Sequence, residues 1–236
     1  LLRDLYLVMP LAIVITLIVV AVGFRHTHGV VLPLLANSLA LIVTLAIFVV
    51  AGHSLNYVTV ILPPTIYVVG FAYSVHVISD FDRHFQAGLE RKAATKAALA
   101  DVALPVSLTA LTTAIGFASL LLSSIDSIRL FGFYASLGTL LAWLAALSVV
   151  PAGLVLFPAK LGNQRASRLQ ALAPKLADLT ERYGRGMLLA GITLAMISVI
   201  GALRIDVSTD YLKNFRDDSA IRGNFERLNT VFSGAV

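Results

Sequence analysis

Val69, Tyr73, His76 and Asp80 recur at spacings of four, three and four, which puts them on one face of a helix. Three of them carry groups that exchange protons: a phenol, an imidazole and a carboxylate. The imidazole, with an ordinary pKa of about 6.5, changes charge near physiological pH. Ser74 adds a hydroxyl beside Tyr73, and Thr112 and Thr113 add two more in a later segment. Such a row can relay a proton. Packing glue is the plain alternative for Tyr73 and the hydroxyls. A histidine in an apolar stretch asks for a stronger reason, because polar groups are expensive in lipid.

Other site chemistries find little support. The chain has no cysteine, which excludes disulfides and thiolate metal sites. No nucleophile elbow, phosphate loop or zinc-protease motif occurs. His26 and His28 stand together without a further ligand, so no metal site is expected. Ser74 and His76 lie two apart on one helix and cannot face each other. No enzyme chemistry and no cofactor are expected.

The elements that position these residues follow from hydropathy and charge. Of 236 residues 58% are apolar and only 13% charged, with a mean hydropathy of +0.88. A soluble domain carries about 25% charged residues. Disorder is excluded too, since it needs low hydrophobicity. Charges are banded: residues 5–79 hold only Arg25, 102–159 only Asp126 and Arg129, and 186–203 none. A run of about 20 apolar residues spans the hydrocarbon layer as a helix. Spans are expected at 5–24, 30–51, 57–79, 102–122, 130–157 and 186–203, and none contains a carboxylate. Lipid cannot satisfy a bare backbone, so helix is the required state. Pro63-Pro64 is expected to break the third span near one end, and Pro151 to kink or break the fifth.

Eleven of the 18 basic residues fall in the alternate loops after residues 24, 79 and 157, whereas the short loops 52–56 and 123–129 hold only Arg129. The positive-inside rule places the basic loops in the cytoplasm. The net charge of +5 therefore reflects loop charge and implies no nucleic-acid partner. Membrane lipids are the expected surroundings.

The expected domain plan is a bundle over 1–159, a cytoplasmic amphipathic linker over 160–185, a sixth span over 186–203 and an extracytoplasmic segment over 204–236. Phe85, Leu89, Ala93 and Ala97 predict a short amphipathic helix between Asp80 and Asp101, lying on the inner leaflet. Thr109, Thr112, Gly116, Ser119 and Ser123 form a small, polar stripe, expected to pack against the Tyr73–His76 face. Gly116, Gly132 and Gly138 are expected at helix–helix contacts. Leu1 opens the chain and 204–236 completes no core, so an internal piece of a longer chain is expected.

Four segments and Pro151 carry a resemblance. Pro105-Val-Ser-Leu-Thr-Ala-Leu-Thr-Thr-Ala-Ile-Gly-Phe-Ala-Ser-Leu, then Phe131-Gly-Phe-Tyr-Ala-Ser-Leu-Gly and Pro151, resembles the signature of resistance-nodulation-division (RND) exporters of the MMPL type, kin to sterol-sensing-domain proteins. Gly70-Phe-Ala-Tyr-Ser-Val-His is similar to the middle of that family's fourth span, and Asp217-Asp-Ser-Ala-Ile-Arg to the start of its second extracytoplasmic domain. The resemblance implies an all-α polytopic bundle, six transmembrane helices of a half-transporter from a twelve-span whole, with the start of an α+β extracytoplasmic domain. It implies a plasma-membrane protein (a bacterial inner membrane), a proton gradient as energy source and a lipid or other hydrophobic substrate. It also implies a second half of the same polypeptide. A homo-oligomer stays open.

Family members often place an acidic residue before the tyrosine of the fourth span; here that position is Ala72. The resemblance thus puts His76 and Tyr73 at the relay position, supported by Ser74, Thr112, Thr113 and Asp80. Two functions follow as expectations: proton-driven export of hydrophobic molecules, and a lipid-sensing or sorting module without active transport.

Overall fold

The computed structural model describes residues 10, 11, 14, 27–157 and 172–203. The chain divides into two units, Leu1–Ala171 and Leu172–Val236. The expected first span lies outside the described residues but for three positions, as do the first part of the linker and the whole of 204–236.

In the first unit α1 spans Thr27–Val50, α2 Leu62–Gln86, α3 Arg91–Ala118 and α4 Asp126–Leu156. Short 3-10 turns, Thr59–Ile61 and Ser119–Leu122, precede α2 and follow α3. In the second unit α5 spans Leu172–Ala202, with non-helical backbone at Tyr183. No strand occurs among the described residues. Five stretches are long and apolar enough to cross a membrane: Gly29–Val50, Thr59–Gln86, Arg91–Leu122, Asp126–Leu156 and Ala177–Ala202.

The prolines behave differently from expectation. Pro63 and Pro64 fall in the first turn of α2, where no N–H is needed, so they start the helix instead of breaking it. Pro33, Pro105 and Pro151 sit inside helices that continue past them. The segment between Asp80 and Asp101 forms no separate surface helix. Instead α2 runs on to Gln86, Gly88 turns the chain with φ +93°, and α3 begins at Arg91. Hydrogen-bonded turns carry both helices past the apolar blocks, because a charged residue outside lipid is no barrier to helix. Ala94 and Ala98, not Ala93 and Ala97, are the buried pair.

Within the first unit α2 and α4 each pack against the other three described helices. The inward face of α4 is built from small residues: Gly132, Ala135, Gly138, Ala142, Ala145 and Ala146 are all buried. Between helices in lipid, close packing replaces the hydrophobic drive, so small residues at the seam are what bring backbones together. A Cβ at Gly132 would lie 2.6 Å from Leu120 Cβ, and one at Gly138 2.7 Å from Ile66 Cγ1. Gly116 departs from expectation, since a Cβ there meets nothing within 4 Å among the described residues. On α3 the seam is Val106, Ala110 and Ala114, while Leu104, Leu108, Leu111 and Ile115 point outward. Large apolar groups outside and small ones inside is the arrangement lipid permits.

Candidate functional site

Tyr73 sits on α2, buried with Val106 and Ala110 of α3 and Ala146 of α4. Val69 and Trp143 pack against the same cluster. The Trp143 indole N–H donates to Ser107 Oγ at 2.9 Å, tying α4 to α3 beside the ring. The Tyr73 hydroxyl is buried and has no hydrogen-bond partner among the described residues. Thr113 lies beside it without reaching hydrogen-bond geometry, and its own hydroxyl donates to Thr109 O at 2.7 Å.

One helical step separates Tyr73 from His76, and that step crosses the edge of the buried face. Tyr73 points in; His76 is exposed, along with Val68, Ala72 and Ser79. On α3 the stripe Thr109, Thr112, Gly116 and Ser119 is also exposed. The two stripes do not form the seam expected from their polarity. The hydroxyls of the stripe satisfy themselves locally: Thr109 donates to Pro105 O, Thr112 to Leu108 O and Ser119, in the 3-10 turn that follows, to Gly116 O. Such back-bonding removes the need for a cross-helix partner. Of the residues proposed for a relay, the fold brings Tyr73 and Thr113 together and leaves His76 and Thr112 on open faces.

Ser74 lies elsewhere. It is fully buried and donates to Gly70 O at 3.2 Å. Asn37, Thr44 and Thr139 are likewise fully buried, which polarity alone did not reveal. Asn37 donates to Pro33 O at 2.7 Å, and its carboxamide oxygen has no partner among the described residues and lies against the backbone of Gly70. The signal was available: Asn37 is the sole carboxamide inside an expected span, and Gly70 the sole glycine in its own.

Asp80 belongs to a charged cluster at the end of the bundle where α2 meets α3. Its carboxylate takes Arg83 at 2.8 Å, and the Arg83 guanidinium also reaches Asp101 at 2.7 Å. His84 Nε2 stands 3.0 Å from Asp101 and 3.5 Å from Asp80. The two acids and His84 have ligand atoms within 4.8 Å of one another. Arg83 already occupies the place of a neutralising cation, so the cluster is a clamp between helix ends. Asp80 is separated from Tyr73 by this engagement.

Long apolar helices, small-residue seams and back-bonded hydroxyls define a multi-pass helical membrane protein. The sequence profile of the MMPL family matches residues 2–182, and the chain belongs to that family. It is also similar to a Mycobacterium bovis (strain ATCC BAA-935 / AF2122/97) protein described as "Probable transport protein MmpL8", 23% identical over 176 residues. That match covers 73% of the present chain and 15% of the relative, so the chain spans a small part of that relative's length.

Proposed function

We propose that the chain is part of a proton-driven MMPL-type transporter that exports lipids or other hydrophobic molecules. Membership of the family and the transport function printed for the relative support the coarse reading. The observation that carries the finer one is the placement of Tyr73 and His76. A buried phenol without a partner among the described residues stands three positions before an exposed imidazole on the same span, and the hydroxyl stripe of α3 is exposed as well. An imidazole facing acyl chains is costly. The reading supplies its partner: a further polar helix of the longer protein covers the faces bearing His76 and Thr112. With Ala72 in place of an acid, His76 carries the mobile proton on the open face, and the next hydroxyls are Tyr73, on the buried side of the same span, and Thr113 beside it on α3. Residence in the inner membrane of a bacterium belongs to the same reading.

The test is His76→Ala and His76→Gln in the full-length protein, with transport measured against an imposed pH gradient. Gradient-dependent transport is expected to fall at least tenfold in both variants while expression is kept. Unchanged transport removes His76 from the relay.

Ala72 favours a second reading, a lipid-sensing or sorting module like the sterol-sensing proteins. Such a protein binds lipid without movement of substrate and without response to the gradient. Substrate flux that persists only while the gradient exists decides for transport.

A further inference from the structure

Past their apolar blocks α2 and α3 run on together as a hairpin, turned at Gly88, and its two sides differ. One side is apolar. Phe81, Ala94 and Ala98 are buried there in one cluster, and the Phe85 ring stacks on Phe81 at 5.4 Å. The other side is the charged clamp, with Asp80, Arg83 and His84 on α2 and Asp101 on α3. The apolar side holds in either charge state. A change of charge in the clamp therefore loosens or tightens one edge of the hairpin without unfolding it.

The clamp is short of one positive charge, since two carboxylates share one guanidinium. Arg83 Nη2 reaches Asp80 Oδ1 at 2.8 Å and Asp101 Oδ2 at 2.7 Å. The other oxygen of Asp80, Oδ2, is buried and accepts no hydrogen bond among the described residues. It faces His84 Nε2 at 3.5 Å, and that same nitrogen stands 3.0 Å from Asp101 Oδ2. Nε2 carries a proton in this geometry, because a bare nitrogen so close to a carboxylate would oppose lone pair to lone pair. With Nδ1 bare, the ring is neutral and makes one hydrogen bond to Asp101. With both nitrogens protonated, the ring is the missing cation, and the unpaired oxygen of Asp80 gains a charge-assisted partner after a short movement. The ring is 23% exposed, so protons reach it from water.

The surrounding charges leave this place to His84. Arg83 Nη2, 3.4 Å from Nε2, is the like charge at the ring, and both carboxylates oppose it. Asp82 lies two positions away on α2 and so faces elsewhere. On α3, Lys92 and Lys96 are exposed, nine and five residues before Asp101 and off its face. Arg91 stands about 15 Å before Asp101 along the helix axis. Glu90 is exposed in the turn. Among the described side chains, α1 and α4 bring no ionisable group to this end.

We propose that His84 is a pH switch on the cytoplasmic hairpin: its protonation locks α2 to α3 through Asp80 and Asp101, and its deprotonation frees the Asp80 side. The basic loops assign this end to the cytoplasm. Imidazole changes charge at about pH 6.5, so the lock closes as the cytoplasm acidifies and opens as pH rises. Tyr73 and His76 lie on the same helix, and the lock restrains the end of the span that bears them. The inference needs neither substrate movement nor a proton on His76, so it and the transport reading fail separately.

The experiment measures hydrogen exchange of the amides of residues 87–101 in the full-length protein, by mass spectrometry, with EDTA present so that no metal replaces the proton. Native protein and variant are compared at equal pH, which cancels the intrinsic pH dependence of exchange. His84→Gln keeps a donor near the position of Nε2–H and cannot take charge. Native protein and this variant are expected to be equally protected at about pH 8, whereas at about pH 6 the native hairpin is expected to be about threefold better protected, the size of a partly exposed ion pair. Asp101→Asn keeps the imidazole and removes one of the acids it serves. Its ratio to native protein is expected to widen on acidification in the same way, and this comparison decides alone if His84→Gln does not fold. A ratio that stays flat with pH, or widens toward pH 8, in either folded variant overturns the proposal.

Discussion

The backbone of Gly70 lies directly against the side chain of Asn37, so that a Cβ at position 70 would overlap the carboxamide oxygen and sit 2.8 Å from Ala142 Cβ. Three helices meet at that point: α1 through Asn37, α2 through Gly70 and α4 through Ala142. The absent side chain sets how closely they approach, two residues away on the chain from Ala72 and three from Tyr73.

Gly70→Ala is therefore expected to destabilise the protein by about 1–3 kcal/mol, the usual cost of overpacking. Gly116→Ala, which meets open space, is expected to be neutral or stabilising by up to ~1 kcal/mol through helix propensity. Thermal unfolding of the two full-length variants in the same detergent checks the contrast. A larger loss at Gly116 would move the packing seam of α3 to its polar stripe.

Tyr73→Phe removes a buried oxygen that has no hydrogen-bond partner among the described residues. Its melting temperature is expected to stay level or rise slightly, because a desolvated, unpaired hydroxyl opposes folding. Gradient-driven transport is expected to drop in the same variant. A marked fall in melting temperature would mean the hydroxyl is paired and structural.

Asp101 supplies α3's side of the charged clamp, and its side chain is half exposed. Asp101→Asn is expected to cost under ~1 kcal/mol, with the loss shrinking in high salt. Asp80→Asn, at a carboxylate only 13% exposed, is expected to cost more. Chemical or thermal unfolding at low and high ionic strength measures both. Equal, salt-independent losses would count against an electrostatic clamp.

The chain has no cysteine, so single introduced thiols report sidedness cleanly once any elsewhere in the full protein are replaced. Ser124→Cys and Glu90→Cys both fall at exposed turn positions. A membrane-impermeant maleimide added to intact cells is expected to label the first and spare the second. The opposite pattern would invert the orientation read from the basic loops.

Trp143→Phe removes the indole N–H that reaches Ser107 Oγ, with an expected loss of about 1 kcal/mol. Ser107→Ala leaves that N–H without its acceptor and is expected to cost at least as much. The double variant should cost less than the sum of the two, as thermal unfolding would register.

Helical spans were legible in the residues themselves, because lipid allows a long uncharged run only one backbone solution. The membership written in Thr112-Thr113-Ala-Ile-Gly-Phe was legible for the same segment. Side-chain direction was less so. Polarity suggested that the Thr109–Ser119 stripe would meet Tyr73, yet hydroxyls that bond their own helix carry no instruction about neighbours. The seam went to Val106, Ala110 and Ala114 because small volume, not polarity, governs how near two helices come. Spacing put Tyr73 and His76 on one face, but spacing cannot say where that face ends. Only the packing of α3 and α4 around α2 decided that Tyr73 is inside, His76 outside and Asp80 held by Arg83. Periodicity is a property of one helix, whereas burial is a property of several, and that is why composition alone foretold the five spans found among the described residues while the contacts between them assigned each side chain its surroundings.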